Sequence, residues 1–330
     1  MTGTKERLLE LLEKNRGQYI SGEEAAKQLD ISRTAVWKAV NSLRKEGYEI
    51  CAVPNKGYSL SSGTDILSVQ GIRRYLRPAA AGLQLEVLQE VDSTNNRLRE
   101  QAAAGALEGT VIVAGRQTAG KGRLGRKFYS PEGTGVYLSL LLRPETWPPE
   151  RAVGITTIAA VAGCEAIEAL GGRDVQIKWV NDIFMDGRKV SGILTEASMG
   201  LENGHLEYAV VGIGFNVYPP EGGFPPELKD IAGAVFPEQK SDGKNRLAAE
   251  FLNRFMDYYG HGDGKNYVEK YRERSLVIGK EILVLKRDGS RKAKALDVDQ
   301  DCHLLVEYED GTREKLSSGE ISVRVARTDQ

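Results

Sequence analysis

The sequence of 330 residues predicts a multi-domain α+β protein. Three observations support this prediction. Short helical patterns fill the segment before Gly47, the central part mixes strands and helices with a glycine-rich loop, and short strands alone follow Gly279. Chains of this length usually form two or three domains. We expect three domains, over residues 1–64, 65–276 and 277–330.

The N-terminal segment has the pattern of three short helices followed by two strands. Apolar residues recur at helical spacing over 4–15 and 33–46, and a Ser-x-x-Glu capping box at Ser21 starts a helix between them. Ser32 is placed to cap the third helix. Two strand-like runs joined by a turn at 54–57 then predict a winged helix-turn-helix.

The third predicted helix has the charge of a helix that reads DNA. Between residues 31 and 45 every charged residue is basic, and the start of such a helix enters the major groove. We predict DNA contacts from this helix and from the wing by Ser32, Arg33, Thr34, Lys38 and Lys56. The alternative is a solvated basic face, because residues 1–62 carry 10 basic against 8 acidic side chains.

A polar run separates this segment from the rest of the chain. Residues 61–65 read Ser-Ser-Gly-Thr-Asp, a composition typical of exposed connections. We predict a linker here and a domain boundary near residue 64.

A glycine-rich basic loop, residues 115–128, follows a strand predicted over 110–113. It contains five cations and no acidic residue, namely Arg116, Lys121, Arg123, Arg126 and Lys127. Accessible backbone N–H groups and interleaved cations favour phosphate binding. The loop is not a P-loop, because Gly122 stands where a hydroxyl must bind Mg²⁺ and no helix begins there. We expect the loop to become ordered only with its ligand.

A polar stretch lies upstream of this loop, between a predicted strand and a helix predicted over 97–104. It runs from Asp92 to Asn96, and Asp92 or Ser93 is placed to cap the helix. Capping alone explains these polar residues, so the stretch by itself does not indicate a binding site.

A second polar stretch lies downstream, in a predicted β-hairpin. One strand is predicted over 175–182 and the other over 187–196, with the turn at Asp186 and Gly187. Four polar residues are expected near the turn, namely Lys178, Asn181, Asp182 and Lys189. Lysines on a hairpin are ordinarily solvated.

In this order and spacing, the three stretches resemble the biotin protein ligases. The matching segments are Asp92-Ser-Thr-Asn95, residues 117–128, Lys178-Trp-Val-Asn-Asp182, Lys189-Val-Ser-Gly-Ile-Leu194 and Gly212-Ile-Gly-Phe-Asn216. With the winged helix, the resemblance covers essentially the whole chain and is nearest to the bifunctional type that also represses a biotin operon. It implies a central mixed α/β catalytic domain of the biotin/lipoate-ligase-like type.

The sequence departs from the family pattern at three positions. Lys121 replaces the first arginine of the family's loop, Phe128 replaces a tryptophan, and Val180 replaces a common proline. Lysine keeps the positive charge but lacks the planar fork of arginine. The cationic character of the loop is retained.

The C-terminal segment consists of short strands. They are predicted over 281–285, 291–298, 303–308, 312–316 and 321–325, with turns at Asp288-Gly289 and Asp310-Gly311. About 50 residues in five strands fit the SH3-like β-barrel that the resemblance implies. The barrel is either a packing module or a contact surface for the acceptor protein.

The resemblance implies an ATP-dependent biotin protein ligase. Biotin and ATP would form biotinyl-5′-AMP, and biotin would then pass to a lysine of a biotin carboxyl carrier protein, such as that of acetyl-CoA carboxylase. Mg²⁺ is expected on the ATP phosphates without a protein cage. The chain is also expected to repress biotin genes by binding operator DNA as a homodimer that the adenylate promotes.

The resemblance and the side-chain chemistry assign three groups of residues. Catalysis is assigned to the cations Lys189, Arg123 and Lys121, which would stabilise developing negative charge. Biotin binding is assigned to Ser93, Thr94, Asn95, Gln117, Lys121, Gly122, Arg123, Lys189 and Gly192. Nucleotide binding is assigned to Arg123, Arg126, Phe128, Lys178, Asn181, Asp182 and Asn216.

Two other functions stay open on the sequence alone. A lipoate ligase would share the fold and the adenylation chemistry, although the polar Ser-Thr-Asn segment favours biotin over an apolar dithiolane. A non-catalytic transcription factor that senses a small molecule is the other alternative. Lys189 and the complete cationic loop argue against it.

The composition excludes several further classes. With 45 basic and 46 acidic residues, the net charge of −1 argues against a general polyanion binder. Three cysteines and three histidines are scattered, which predicts neither a disulfide framework nor a metal site. No apolar stretch approaches the ~20 residues of a membrane span, and the N-terminus lacks a signal-peptide pattern. We therefore expect a cytoplasmic protein with no membrane partner.

Overall fold

The computed structural model describes residues 3–144, 152–199, 205–260, 266–286, 289–317 and 322–325. Its N-terminal part contains three helices and a two-stranded sheet. These are α1 (Thr4–Lys14), α2 (Gly22–Leu29), α3 (Arg33–Lys45), β1 (Ile50–Val53) and β2 (Gly57–Leu60). β1 and β2 pair antiparallel. The predicted winged helix-turn-helix is confirmed.

Side-chain caps fix the starts of α2 and α3 as predicted. The Ser21 Oγ accepts a hydrogen bond from the N–H of Glu24 at 3.0 Å, and the Ser32 Oγ accepts one from the N–H of Ala35 at 3.1 Å. Each cap satisfies a backbone donor that the first helical turn leaves free. The helices enclose a separate apolar core that includes Leu8, Leu12, Val36, Val40 and Leu43.

The central part is built on a seven-stranded sheet covered by helices. In chain order its elements are α4 (Val69–Arg73), β3 (Gln84–Leu88), α5 (Thr94–Ala103), β4 (Thr110–Ala114), β5 (Gly135–Leu142), α6 (Ala152–Ala169), β6 (Gln176–Lys178), β7 (Asp182–Met185), β8 (Arg188–Met199), β9 (Leu206–Asn216), α7 (Gly243–Gly260) and α8 (Asn266–Glu273). The strand order is β3-β4-β5-β9-β8-β7-β6. β3 and β4 are parallel and the other neighbours are antiparallel, so the sheet is mixed as expected.

Two predicted elements of this part are wrong in detail. The strand predicted over 175–182 is two antiparallel strands, β6 and β7, because the chain turns back between Lys178 and Asp182. The helix predicted from residue 97 begins already at Thr94, with Ser93 as its cap. The polar residues Thr94 and Asn95 are thus in the first helical turn rather than in a loop.

Helix α6 forms the centre of the main core. It is long and apolar enough to meet the length and composition of a membrane span, which the sequence analysis overlooked, and 72% of it is buried within the fold. Its buried residues include Ile155, Ala159 and Ile167, which belong to the same core as Val111 and Leu138 of the sheet. A helix that is apolar on all sides is typical of such a buried position.

The predicted linker between the first two parts ends in buried residues. Ser62 and Gly63 are exposed, whereas Thr64 and Asp65 are only 4% and 3% exposed. The Asp65 carboxylate accepts hydrogen bonds from the Tyr218 hydroxyl at 2.7 Å and from the N–H of Lys244 at 2.9 Å. Burial raises the pKa of the Asp65 carboxyl. Partners distant in sequence thus hold the end of the polar run in place, which its composition did not predict.

Three buried charged residues join the N-terminal and central parts. The Arg16 Nη2 lies 2.8 Å from Glu13 Oε1 and 3.2 Å from Asp242 Oδ1, and these side chains are 2–5% exposed. Although burial opposes the charge, the hydrogen bond to Glu13 and the charge of Asp242 raise the pKa of the Arg16 guanidinium. We call Glu13, Arg16 and Asp242 the interdomain cluster.

The C-terminal part is a five-stranded antiparallel sheet. Its strands are β10 (Glu281–Lys286), β11 (Gly289–Val298), β12 (Leu304–Tyr308), β13 (Arg313–Leu316) and β14 (Ser322–Val325), in the order β13-β12-β11-β10-β14. The five predicted strands are confirmed, with each end within two residues of its predicted position. The turn at Asp310-Gly311 is confirmed, with Gly311 at φ +80°. Asp288, in the other predicted turn, lies outside the described residues.

Candidate active site

A cleft opens on the central sheet beneath the loop 115–128. Its walls come from the start of α5, the glycine-rich loop, the β6–β7 turn, and the middle of β8 and β9. The lining residues are Ser93, Thr94, Asn95, Gln117, Lys121, Gly122, Arg123, Phe128, Asn181, Lys189, Gly192, Ile193, Leu194, Gly212, Ile213 and Gly214. All nine residues predicted to bind biotin are therefore brought to one cleft.

Glycines shape the floor of this cleft. A Cβ on Gly214 would lie 2.5 Å from the Phe128 ring, and one on Gly192 would lie 3.1 Å from both Phe128 and Lys189. A Cβ on Gly212 would lie 2.1 Å from Asn95 Oδ1. Side chains at these positions would fill the space that Phe128 and Asn95 occupy. Because these three strand positions have no side chain, Phe128 and Asn95 can pack directly against the sheet.

We expect Gly214→Ala to reduce kcat/KM for the small-molecule substrate of this cleft by roughly tenfold. The added methyl group must displace Phe128, and overpacking of this kind costs about 1–3 kcal/mol. Gly82→Ala is the matched control, since a Cβ there has no atom within 4 Å. Equal steady-state kinetics for both variants would contradict this account of the floor.

A hydrogen-bond network holds the polar end of the cleft. The Gln117 Oε1 accepts from the N–H of Thr94 at 2.8 Å and from its hydroxyl at 3.1 Å, and the Gln117 Nε2 donates to Ser130 Oγ at 3.0 Å. The Asn95 Nδ2 donates to Glu196 Oε2 at 2.9 Å. These side chains are therefore oriented before any ligand arrives.

The residue at the centre of this network is not among the predicted site residues. Ser139, on β5, is fully buried, and its hydroxyl lies 2.8 Å from Thr94 Oγ1 and 2.6 Å from Asn95 Oδ1. A small polar side chain between the apolar residues of a buried strand is a signal that the sequence offers.

Three cations approach the cleft from different elements. The Lys189 Nζ forms an ion pair with Asp182 Oδ1 at 2.7 Å, and the Arg123 Nη1 donates to Asn181 Oδ1 at 3.0 Å. Lys121 donates to Asn96 at the start of α5. Burial lowers the pKa of the Arg123 guanidinium, as expected of a desolvated cation. Such an arrangement favours an anionic ligand that spreads its charge among these groups.

The loop itself forms a compact hairpin rather than the start of a helix. The N–H of Phe128 donates to Gly120 O at 2.9 Å, and the N–H of Gly122 donates to Arg126 O at 2.7 Å. Between them, Arg123–Gly125 form one 3₁₀ turn. The rejection of a P-loop is consistent with this geometry, whereas ordering of the loop by ligand stays a prediction.

A second cavity of about 570 Å³ adjoins the first across Phe128, Gln117 and Lys189. Arg126 and Asn216, both predicted to bind nucleotide, line it. Its other wall comes from a segment that the sequence analysis left unassigned, through Phe224, Glu227, Leu228, Ile231 and Ala232. The cavity therefore combines cations on one side with apolar surface on the other.

Two predicted nucleotide residues line neither cavity. Lys178 lies with its Nζ 5.7 Å from the centre of the Phe184 ring. Asp182 is connected to the site through its ion pair with Lys189. Lys178 was expected near the turn of a hairpin, in the same strand as Asp182. In the structure it ends β6, and the chain turns back before Asp182 begins β7.

The C-terminal part and α8 both support the β6–β7 turn. The carbonyl of Cys302, between β11 and β12, accepts a hydrogen bond from the Trp179 Nε1 at 2.9 Å. The Tyr271 hydroxyl of α8 donates to the carbonyl of Val180 at 3.1 Å. Asn181, which lines the cleft, follows directly. Packing therefore accounts for at least part of the role of the C-terminal sheet.

One group of side chains in the described residues has the spacing of a metal site, at Asp299, Asp301 and His303. The Asp299 carboxylate accepts from the N–H groups of Asp301 and His303 and pairs with Lys315 at 2.7 Å. Although burial opposes ionisation, the Lys315 hydrogen bond and these amides lower the pKa of Asp299 to about 2. These contacts explain the cluster as a turn between β11 and β12.

The five residues predicted to bind DNA are all exposed. Arg33, Thr34 and Lys38 of α3 and Lys56 of the wing are exposed, whereas the Ser32 hydroxyl is occupied as a helix cap. A groove of about 710 Å³ separates α3 from the wing. In the wing turn, Gly57 has φ +103°, and a Cβ there would lie 2.0 Å from the carbonyl of Ile20.

Comparisons with known proteins agree with this arrangement. Residues 87–216 match the Biotin/lipoate A/B protein ligase family, residues 4–59 match an HTH domain, and residues 277–324 match the biotin protein ligase C terminal domain. The bifunctional ligase/repressor BirA of Bacillus spizizenii is 38% identical over 325 residues, which cover 96% of this chain and 97% of that relative. The chain belongs to the family of bifunctional biotin ligase/repressors.

Another bifunctional relative and a solved ligase are also similar to this chain. The bifunctional ligase/repressor BirA of Escherichia coli is 29% identical over 322 residues, covering 94% of each chain. The biotin protein ligase of Aquifex aeolicus, solved in complex with biotin and ATP, has 31% identity and a TM-score of 0.62, covering 74% of this chain and 99% of that one. The ligase fold and the DNA-binding domain of the family are both present here.

Proposed function

We propose that this biotin protein ligase uses the first cleft for biotin and the second cavity for ATP. The observation that carries this assignment is the shared boundary, where Lys189, Gln117 and Phe128 line both cavities. Two substrates bound there would meet at a fixed cation. Hydrogen-bonding side chains in the first cleft suit the neutral ureido ring of biotin, and the mixed lining of the second suits a nucleotide.

The first half-reaction forms an acyl phosphate bond. A carboxylate oxygen of biotin attacks the α-phosphorus of ATP, the bond to the β-phosphate oxygen breaks, and pyrophosphate leaves. Lys189 would exchange its ion pair with Asp182 for contact with the two reacting anions. Arg123, half-buried at the same place, would hold charge on the phosphate. Preorganised cations of this kind stabilise charge that develops in the transition state.

The second half-reaction transfers biotin to protein. The ε-amine of a lysine on a biotin carboxyl carrier protein attacks the carbonyl of biotinyl-5′-AMP, and AMP leaves with the bonding electrons of the cleaved C–O bond. A mixed anhydride hydrolyses in water, so the hairpin of residues 115–128 would shield it until the carrier arrives.

Mg²⁺ would enter this site on the phosphates of ATP. Glu227 lines the second cavity, whereas Asp182 is paired with Lys189 and Asn181 with Arg123 at the boundary of the two cavities. Cations so close to both oxygen donors disfavour a resident divalent ion. When bound with ATP, Mg²⁺ would neutralise charge on the polyphosphate.

The decisive assay incubates the full chain with ATP, radiolabelled biotin and an apo biotin-carrier domain. We expect label on the carrier lysine, and a parallel reaction with radiolabelled lipoate should give little product. Label from lipoate alone would assign the chain to lipoate ligation instead. No label from either compound would favour a sensor without catalytic activity.

The winged domain gives the ligase its second role, as a repressor in the cytoplasm. We expect biotinyl-5′-AMP, more than biotin alone, to promote a homodimer that binds two operator half-sites. Sedimentation velocity with and without biotin plus ATP measures the dimer, and titration of duplex DNA measures its binding. The same dimer affinity in both conditions would contradict regulation by the adenylate.

A further inference from the structure

The start of the DNA-binding helix carries a large apolar side chain that the ligase reaction does not use. Trp37, on α3, is 57% exposed, although indole is among the side chains that gain most from burial. The helix buries a different face, through Val36, Val40 and Leu43. Trp37 therefore does not contribute to the core of its own domain.

The position of Trp37 relates it to the predicted DNA contacts. It follows Arg33 and Thr34 by four and three residues, so the three side chains share one helical face. The same three residues line the groove between α3 and the wing, opposite Pro54 and Asn55. An exposed indole thus lies beside Arg33, across a groove that Glu23 also lines, on the face of the helix expected to enter the major groove.

The chemistry of the major groove indicates what this indole would contact. Phosphates attract the cations Arg33, Lys38 and Lys56, but they form no favourable apolar contact with an indole ring. The apolar group displayed by bases in the major groove is the C5 methyl of thymine. We propose that Trp37 is a specificity-determining residue, which selects thymine in each half-site of the operator through contact with this methyl group.

This proposal rests on the repressor function and predicts different roles for two neighbouring residues of α3. Trp37 distinguishes one base from another, whereas its neighbour Lys38 binds DNA of any sequence through phosphate. Lys38→Ala should weaken all duplexes equally and reduce the slope of binding against salt by about one charge. It is the matched control for Trp37→Ala.

The test begins with a duplex selected from a randomised library by the full chain in the presence of biotin and ATP. Each dT of this duplex is then replaced singly by dU, which removes only the methyl group. Wild type should lose about fourfold in affinity at one or two positions per half-site, equal to about 0.8 kcal/mol for one buried methyl group. Lys38→Ala should keep this sensitivity.

Trp37→Ala should bind the selected duplex at least tenfold more weakly and respond equally to dT and dU, while its binding to random duplexes stays the same. Trp37→Leu should recover part of the thymine preference. Formation of biotinyl-5′-AMP should be unchanged in both variants, and their unchanged binding to random duplexes verifies that the winged domain, which has its own core, is folded. If wild type shows no response to dU, or if Trp37→Ala keeps the response, the proposal is wrong. If wild type selects no duplex at all, both the proposed binding to a specific operator and the proposed role of Trp37 are wrong.

Discussion

Replacing Lys189 by alanine will lower the rate of biotinyl-5′-AMP formation more than tenfold, equal to more than about 1.4 kcal/mol of activation free energy. Two reasons lead to this expectation. The ammonium group of Lys189 lies where the two cavities meet, and the variant leaves the Asp182 carboxylate unpaired beside an incoming phosphate. The negative charge of an unpaired Asp182 carboxylate would repel the phosphates of ATP, both in the bound substrate and in the transition state.

Single-turnover measurement of adenylate formation gives this rate directly. Lys189→Arg should retain part of the activity, since it keeps the charge but alters the geometry. Lys292→Ala, at an exposed lysine of the C-terminal sheet, should behave as wild type. Normal adenylate formation by Lys189→Ala would remove this residue from the mechanism.

The second large effect is expected from the interdomain cluster. Arg16→Met should lower the free energy of unfolding by about 3–5 kcal/mol, because removal of one partner from a buried ion pair leaves uncompensated charge. Here the variant removes the arginine from Asp242 and leaves Glu13 only its longer ion pair with Arg74 at 3.8 Å, and both carboxylates are about 2% exposed. Denaturant unfolding monitored by circular dichroism measures the loss. A change below about 0.5 kcal/mol would show that the cluster does not stabilise the fold.

The pH dependence of the free energy of unfolding of Arg16→Met should distinguish the loss of charge from the loss of packing. Without Arg16, the buried carboxyl groups of Glu13 and Asp242 have to ionise without their shared cation, whereas carboxyl groups of the unfolded chain ionise in water near pH 4. Folding is then penalised only where these groups must ionise, so the deficit relative to wild type is smallest near pH 4 and grows as the pH rises. The triple variant Glu13→Gln, Arg16→Met and Asp242→Asn should recover much of the loss at pH 8.

The interdomain cluster also bears on how the two roles of the protein are connected. Arg16 follows α1 of the winged domain and donates to the carbonyl of Thr64, and Asp65 next to it accepts from Tyr218. Tyr218 lies two residues beyond Asn216, which lines the second cavity. Continuous contacts thus lead from the proposed nucleotide cavity to the DNA-binding domain.

Local signals in the sequence were sufficient to predict much of the fold. Ser21 and Ser32 cap their helices as expected, because capping depends on residues three positions apart. The wing and the C-terminal strands were predicted because turn residues and alternating apolar residues lie next to each other in sequence. The cleft was predicted because several motifs together resemble one family. None of these motifs indicated a binding site by itself.

Features that depend on distant residues could not be predicted in this way. Nothing in the polar run 61–65 reveals that Asp65 meets Tyr218 and Lys244. The turn between β6 and β7 has no glycine and no proline, so the pattern indicated one strand. The apolar wall of the second cavity, near Phe224 and Ile231, lies in a segment without helical or strand periodicity.

The most direct test of the central claim is isotope exchange between ATP and pyrophosphate. Adenylation is reversible, so labelled pyrophosphate should appear in ATP when the full chain is incubated with biotin and unlabelled ATP, with no carrier protein present. We predict exchange that requires biotin and falls more than tenfold in Lys189→Ala. Exchange that proceeds equally without biotin, or no exchange by wild-type protein that labels the carrier, would contradict an adenylate formed between these two cavities.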